Sequence, residues 1–201
     1  TLTLDSLGRI IRKQNSIDSK LYLSRGRPIR KHTLSTNDGG YIEVGNILIS
    51  ISDADGDDIN SDIIVTKYDS DSKSSWTRIL GGSGRDDAHS FALTSQGLII
   101  TGETDSNDGL FKDMNKGSSD VFVVCLDSLG NPLWKNTYGG RGSDIGSHIQ
   151  VTSDGGILIV GSTTSDIGDQ FNDGDFSGLG QRGTDIFIMK LDKNGNLKKE
   201  R

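Results

Sequence analysis

The residues with the clearest chemical potential are aspartates. Asp53, Asp55 and Asp57 stand two apart in the run Asp53-Ala54-Asp55-Gly56-Asp57-Asp58. Calcium loops use this spacing, because carboxylate oxygens suit a hard cation and a glycine permits the sharp turn. Asp62 is placed to close such a site. The full EF-hand pattern fails, since its twelfth position is Ile64 and not glutamate. The alternative is a solvated acidic loop whose Asp and Gly residues make turns. A second acidic group, Asp166, Asp169, Asp173 and Asp175, precedes Asp185. Paired carboxylates are also what glycoside hydrolysis needs, one as acid and one as base. Asp108, Asp173 and Asp175 are the first candidates for that chemistry.

Other chemistries find less support. His32 and His148 share one repeat position, whereas His89 is one residue out of register, so a three-histidine metal site is not expected. Gly178-Leu179-Gly180-Gln181-Arg182-Gly183 fits G-x-G-x-x-G, but it precedes a predicted strand and opens no helix, so the dinucleotide reading fails its context. There is no Walker A loop, no H-E-x-x-H and no G-x-S-x-G. Cys125 is the chain's one cysteine and reads as an ordinary strand residue. No catalytic constellation emerges.

The elements that must hold these residues repeat. Trp76 and Trp134 are 58 residues apart, as are Gly81-Gly82 and Gly139-Gly140, and Asp86 and Asp144. Asn37-Asp38-Gly39-Gly40 lies two periods before Ser153-Asp154-Gly155-Gly156. A fixed period of this size marks one supersecondary unit copied several times. In the second copy, residues 88–94, 98–104, 121–127 and 133–138 are predicted strands A, B, C and D. The first copy gives 30–36, 41–50, 63–69 and 75–80, and the third gives 145–152, 157–163 and 185–192. The B strand of the third copy, 157–163, reads as a short, continuous apolar run, as in a strand buried on both faces. Glycine- and aspartate-rich turns separate them.

Four antiparallel strands per repeat predict an all-β fold, a β-propeller of four-stranded blades. The expected boundaries are a partial blade at 1–17 and blades at 18–80, 81–138 and 139–201. The rival fold is a stacked solenoid, whose repeats are usually shorter and lack three successive hairpins. Propellers have four or more blades, so the chain reads as a segment of a larger propeller, the alternative being closure with another copy or a partner. Strand directions alternate, so the B–C loops (52–61, 105–119 and 164–184) and the D–A connections should share one rim. That rim carries Arg85 and Arg141, and with Asp108, Asp173 and Asp175 it is the expected ligand-binding face. Asp62, Asp120 and Asp185 recur at the start of strand C, and Asp86 and Asp144 before strand A. Recurrence points to architecture: such a carboxylate can accept N–H groups from a glycine turn.

Residues 138–144, Tyr-Gly-Gly-Arg-Gly-Ser-Asp, and the run from Asp185 to Asn196 carry the motif best. The repeat resembles the glycine- and aspartate-rich β-propeller repeats of bacterial secreted and surface proteins. That resemblance covers almost the entire chain and implies an extracellular or cell-surface setting. It also implies a protein or glycan partner at the envelope, or neighbouring domains of a larger chain. The expected role is non-catalytic binding, adhesion or assembly, and the rival is a propeller domain of a polysaccharide-acting enzyme. The first copy departs from the motif at Asp18, Ser24 and Pro28.

Composition fits this reading. Only 32% of the 201 residues are hydrophobic and 27 are glycine, but the apolar ones concentrate in strands B and C. The net charge of −6 argues against nonspecific nucleic-acid binding. No run of 18 apolar residues is present, so no membrane-spanning helix is expected.

Overall fold

A computed structural model describes residues 2–4, 10–13, 20–23, 30–53, 56–165 and 183–198. Asp18, Ser24, Pro28, Asp55, Asp166, Asp169, Asp173, Asp175 and the glycine motif over 178–182 lie outside these residues. The chain is all-β. Among the described residues the regular elements are antiparallel strands and one 3-10 turn, Gly109–Phe111. No described helix is long and apolar enough to cross a membrane. The chain forms two compact units, residues 1–80 and 81–201.

In the first unit, β1 (Leu2–Leu4) pairs with β2 (Ile10–Lys13). A second sheet holds β3 (Lys20–Leu23), β4 (Arg30–Ser35), β5 (Tyr41–Asp53), β6 (Gly56–Tyr68) and β7 (Ser74–Leu80). β4 pairs with the first half of β5 and β3 with its second half. The sequence reading makes 52–61 a loop. Instead β5 and β6 pair without a break from Tyr41↔Tyr68 to Asp53↔Gly56. Ile49 and Ile51 alternate with Ser50 and Ser52, and period-two alternation suits a strand.

The second unit holds two sheets. The first has the order β11 (Pro132–Tyr138), β10 (Asp120–Leu126), β9 (Leu98–Thr104), β8 (Asp86–Leu93). These are strands D, C, B and A of the second copy. The second sheet has the order β12 (Asp144–Val151), β13 (Ile157–Thr163), β14 (Asp185–Leu191). A fourth strand begins there, with a bridge Leu191↔Leu197 and Lys198 N–H bonded to Lys190 C=O at 2.8 Å. Strands β9 and β13 run over the predicted residues.

The two sheets of this unit pack face to face. Ile99, Val121, Val123 and Tyr138 from one form a core with Ile149, Ile157, Ile159, Phe187, Met189 and Leu191 from the other. A Cβ on Gly146 would overlap Thr101 and Val121, so glycine lets β12 approach. Ile149 N–H crosses to Ser90 Oγ at 3.2 Å. Every residue of β10 is buried, whereas burial alternates along β13 and β14. The β8–β9 and β12–β13 ladders both slip by one residue, at His89 and at Ser147. These are the same repeat position, a bulge that twists strand A.

Candidate functional site: the Arg85 rim

Four successive amides in the turn at 82–85 are bound by side-chain oxygens. Gly82 N–H donates to Asp86 Oδ2 at 2.8 Å, Ser83 N–H to Asp108 Oδ1 at 2.6 Å and Gly84 N–H to Ser106 Oγ at 2.9 Å. Arg85 N–H donates to Asp105 Oδ1. Glycines at 82 and 84 are required, because a Cβ would collide with Asp108 and Asp105 respectively. The next copy repeats the plan. Gly140 N–H donates to Asp144 Oδ2 at 2.9 Å, Gly142 N–H to Ser165 Oγ at 3.0 Å and Ser143 N–H to Thr164 Oγ1 at 2.7 Å. The D–A turn and the B–C loop of the second and third copies are thus tied together.

Asp86 and Asp144 anchor the rim from below, and both are fully buried. Asp86 accepts the Thr104 hydroxyl on one oxygen and the Ser106 hydroxyl at 2.7 Å on the other. Asp144 accepts Thr163 and, at 2.8 Å, Ser165. Burial pushes the Asp86 carboxyl up, and the Thr104, Ser106 and Gly82 hydrogen bonds oppose it.

On this frame the second copy builds a charged pocket. Arg85 Nε donates to Asp87 Oδ2 at 2.7 Å, and Arg85 Nη2 lies 3.5 Å from Glu103 Oε1. His89 Nε2 lies 3.5 Å from the same Glu103 oxygen. The hydrogen bond to Asp87 raises the Arg85 guanidinium above its usual value, so it is charged at any ordinary pH. A cavity of about 210 Å³ is lined by Arg85, Glu103, Asp105, Ser118, Ser119 and Ser143. Its wall offers one cation, two carboxylates and three hydroxyls. It can donate to and accept from a ligand's hydroxyl groups in several directions.

The expected rim residues are distributed unevenly. Arg85 lines the pocket. Asp108 is drawn into the scaffold by Ser83. Arg141 sits exposed in the next turn, where its carbonyl accepts Ser118 N–H at 3.2 Å. Asp173 and Asp175 are among the residues not described. Glu103, Ser118, Ser119 and Ser143 were not singled out from the sequence. The available signal is departure from the repeat: Asp87 and Glu103 stand where the third copy has Ile145 and Ser162.

The acidic segment of the first unit is a strand pair. Asp53 lies opposite Gly56, Asp57 opposite Ser52 and Asp62 opposite Ile47. Five residues along an extended strand put the Cα atoms of Asp57 and Asp62 roughly 16 Å apart. Among the described residues no group of three His, Cys, Asp or Glu side chains is arranged to hold a metal. His32, His89 and His148 lie on β4, β8 and β12. Trp134 serves packing, since the Gly195 turn of the next copy lies against its ring.

No protein-family model matches the chain, and no curated protein matches it.

Proposed function

We propose that the chain is a run of β-propeller blades and acts as a non-catalytic binding module of a secreted or cell-surface protein. In this reading the Arg85 pocket takes a hydroxyl-rich unit of an envelope glycan. The observation that carries it is the pocket's lining, in which Arg85, Glu103 and Asp105 converge with three serine hydroxyls on one rim. At about 210 Å³ it is smaller than the ~300–1,000 Å³ of ordinary small-molecule sites. It therefore suits one unit at the end of a larger ligand. The propeller reading is supported by the 58-residue period, by the D–C–B–A order of the sheet from β11 to β8, and by the face-to-face stacking of consecutive copies.

Asp108 was one of the candidate acids of the polysaccharide-cleaving alternative. Its engagement with Ser83 N–H at 2.6 Å favours the binding reading. Calcium, expected from Asp53, Asp55 and Asp57, would serve the hairpin end of the first unit and not this pocket. The test is a glycan array probed with the parent chain and with Arg85→Ala and Ser119→Trp variants. Binding that both substitutions abolish, with thermal unfolding unchanged, supports the pocket. Glycan binding that survives both assigns recognition elsewhere, and cleavage of any arrayed glycan would replace a binding role with a catalytic one.

A further inference from the structure

Ile63 and Val65 in β6, Val121 and Val123 in β10, and Ile186 and Ile188 in β14 occupy the same two repeat positions. The first four are 0% exposed, whereas Ile186 is 78% and Ile188 71% exposed. The neighbouring strand follows suit. Val160 lies opposite Ile188, as Thr101 lies opposite Val123. Thr101 is fully buried and Val160 only partly. Two large aliphatic side chains exposed to this degree on one strand are costly, at roughly 25 cal/mol for each Å² of apolar surface.

Within the second unit the same face already has an occupant. Val121 and Val123 are covered by the sheet β12–β14, which presents Ile159, Phe187 and Met189 and uses Gly146 to come close. We infer that the bare face of β13 and β14 is a docking surface for one further antiparallel sheet of this same repeat. That sheet would present the Ile/Phe/Met face and the strand-A glycine that β12–β14 presents to the sheet before it. The pairing would bury Ile186 and Ile188 as Val121 and Val123 are buried. This inference rests on the repeat register and the observed sheet-on-sheet contact, and it is independent of the rim's ligand.

The test extends the chain by one repeat. Asn196 matches Asn131, so Arg201 falls at the position of Asn136. Repeating residues 137–201 after Arg201 therefore keeps the spacing. An Ile188→Cys variant is made in both the parent and the extended chain and labelled with a thiol reagent. The expected result is rapid labelling in the parent and labelling slowed by about tenfold or more in the extended chain. Equal rates overturn the inference whether or not circular dichroism finds the added repeat folded, because a sheet that fits this face must cover it. The parent chain's mass in solution is the second arm. A dimer that Ile186→Lys and Ile188→Lys dissociate would make a second bare face the occupant and would also overturn it.

Discussion

Lys190 Nζ lies 3.2 Å from Asp154 Oδ2, and Lys67 Nζ lies 2.8 Å from Asp38 Oδ2, at the same two positions of two repeats. Each pair ties the A–B turn to strand C across the intervening strand. The second copy changes both partners together, to Gln96 and Cys125. Gln96 instead accepts Trp134 Nε1–H at 3.4 Å and reaches Asn194 at 3.5 Å. A lysine at the fully buried position of Cys125, facing glutamine, would leave a buried charge without its counter-ion.

Acid should expose this pairing. Hydrogen bonds from Lys67, then Thr36 and Gly40, hold the Asp38 carboxyl well below the usual range. Thr152, then Lys190 and Gly156, do the same for Asp154. A depressed folded-state value gives a contribution that is present above the unfolded value, about 3.9, and is lost as pH falls through the folded one. Both carboxylates face solvent, so salt weakens the effect. An Asp38→Asn/Asp154→Asn double variant should lose less stability than the parent between about pH 5 and pH 2. Urea midpoints across that range check it, and parallel losses would count against the pairing.

The buried aspartate below each rim turn should matter far more. Asp144→Ala leaves Thr163, Ser165 and the Gly140 N–H without their acceptor. Unpaired buried donors cost ~1–3 kcal/mol each before water or rotation relieves them. A loss of about 3 kcal/mol in unfolding free energy is expected, against about 1 kcal/mol for Thr163→Val. Denaturant titration of the two variants gives the comparison, and near-equal losses would mean that the carboxylate is not the hub.

Much of this architecture was legible because the repeat enforces it. Residues 98–104 and 157–163 each follow a glycine turn and open on an apolar run, 98–100 and 157–160, so strand B was clear in both copies. The recurrence of Asp86 and Asp144 identified them as structural, and their hydrogen bonds to glycine amides supply the reason. The segment 52–61 was not legible, since Asp and Gly favour turns locally, whereas the β5–β6 hairpin runs on to Asp53↔Gly56 and β3 pairs with the outer half of β5 from farther back along the chain. The pocket was obscured for the opposite reason. Attention to what recurs hides Asp87 and Glu103, which stand in one copy alone, and gives no reason to set Arg85 apart.

The first copy carries a strained turn that can be relieved. Ser72 has φ 61°, where the matching residues are Gly130 at 77° and Gly195 at 81°. The turn is otherwise the same, with Ser72 N–H on Asp69 C=O at 3.1 Å and Gly130 N–H on Asp127 C=O at 3.0 Å. A side chain in the left-handed region costs about 1–2 kcal/mol, partly offset by glycine's greater freedom when unfolded. Ser72→Gly should therefore stabilise by about 1 kcal/mol, and Gly130→Ser should destabilise by a similar amount. Chemical denaturation of both variants decides it, and a destabilising Ser72→Gly would remove the strain argument.

Cys125 should be silent until its sheet opens. It is fully buried in the middle of the four-stranded sheet, paired with Ile99 on one side and Trp134 on the other. Burial, with a smaller push from the charge of Asp127, raises its thiol to about 11. The thiolate is the reactive form, so at pH 8 only about one thiol in a thousand is ionised, and that one is shielded from reagent. A disulfide reagent should therefore leave the folded chain unmodified over hours and react with one equivalent in urea. Under native conditions the labelling rate would measure how often β10 separates from its neighbours. Prompt stoichiometric reaction would mean that this strand opens freely. The packing between the two sheets of the second unit would then hold far less firmly than their shared core implies.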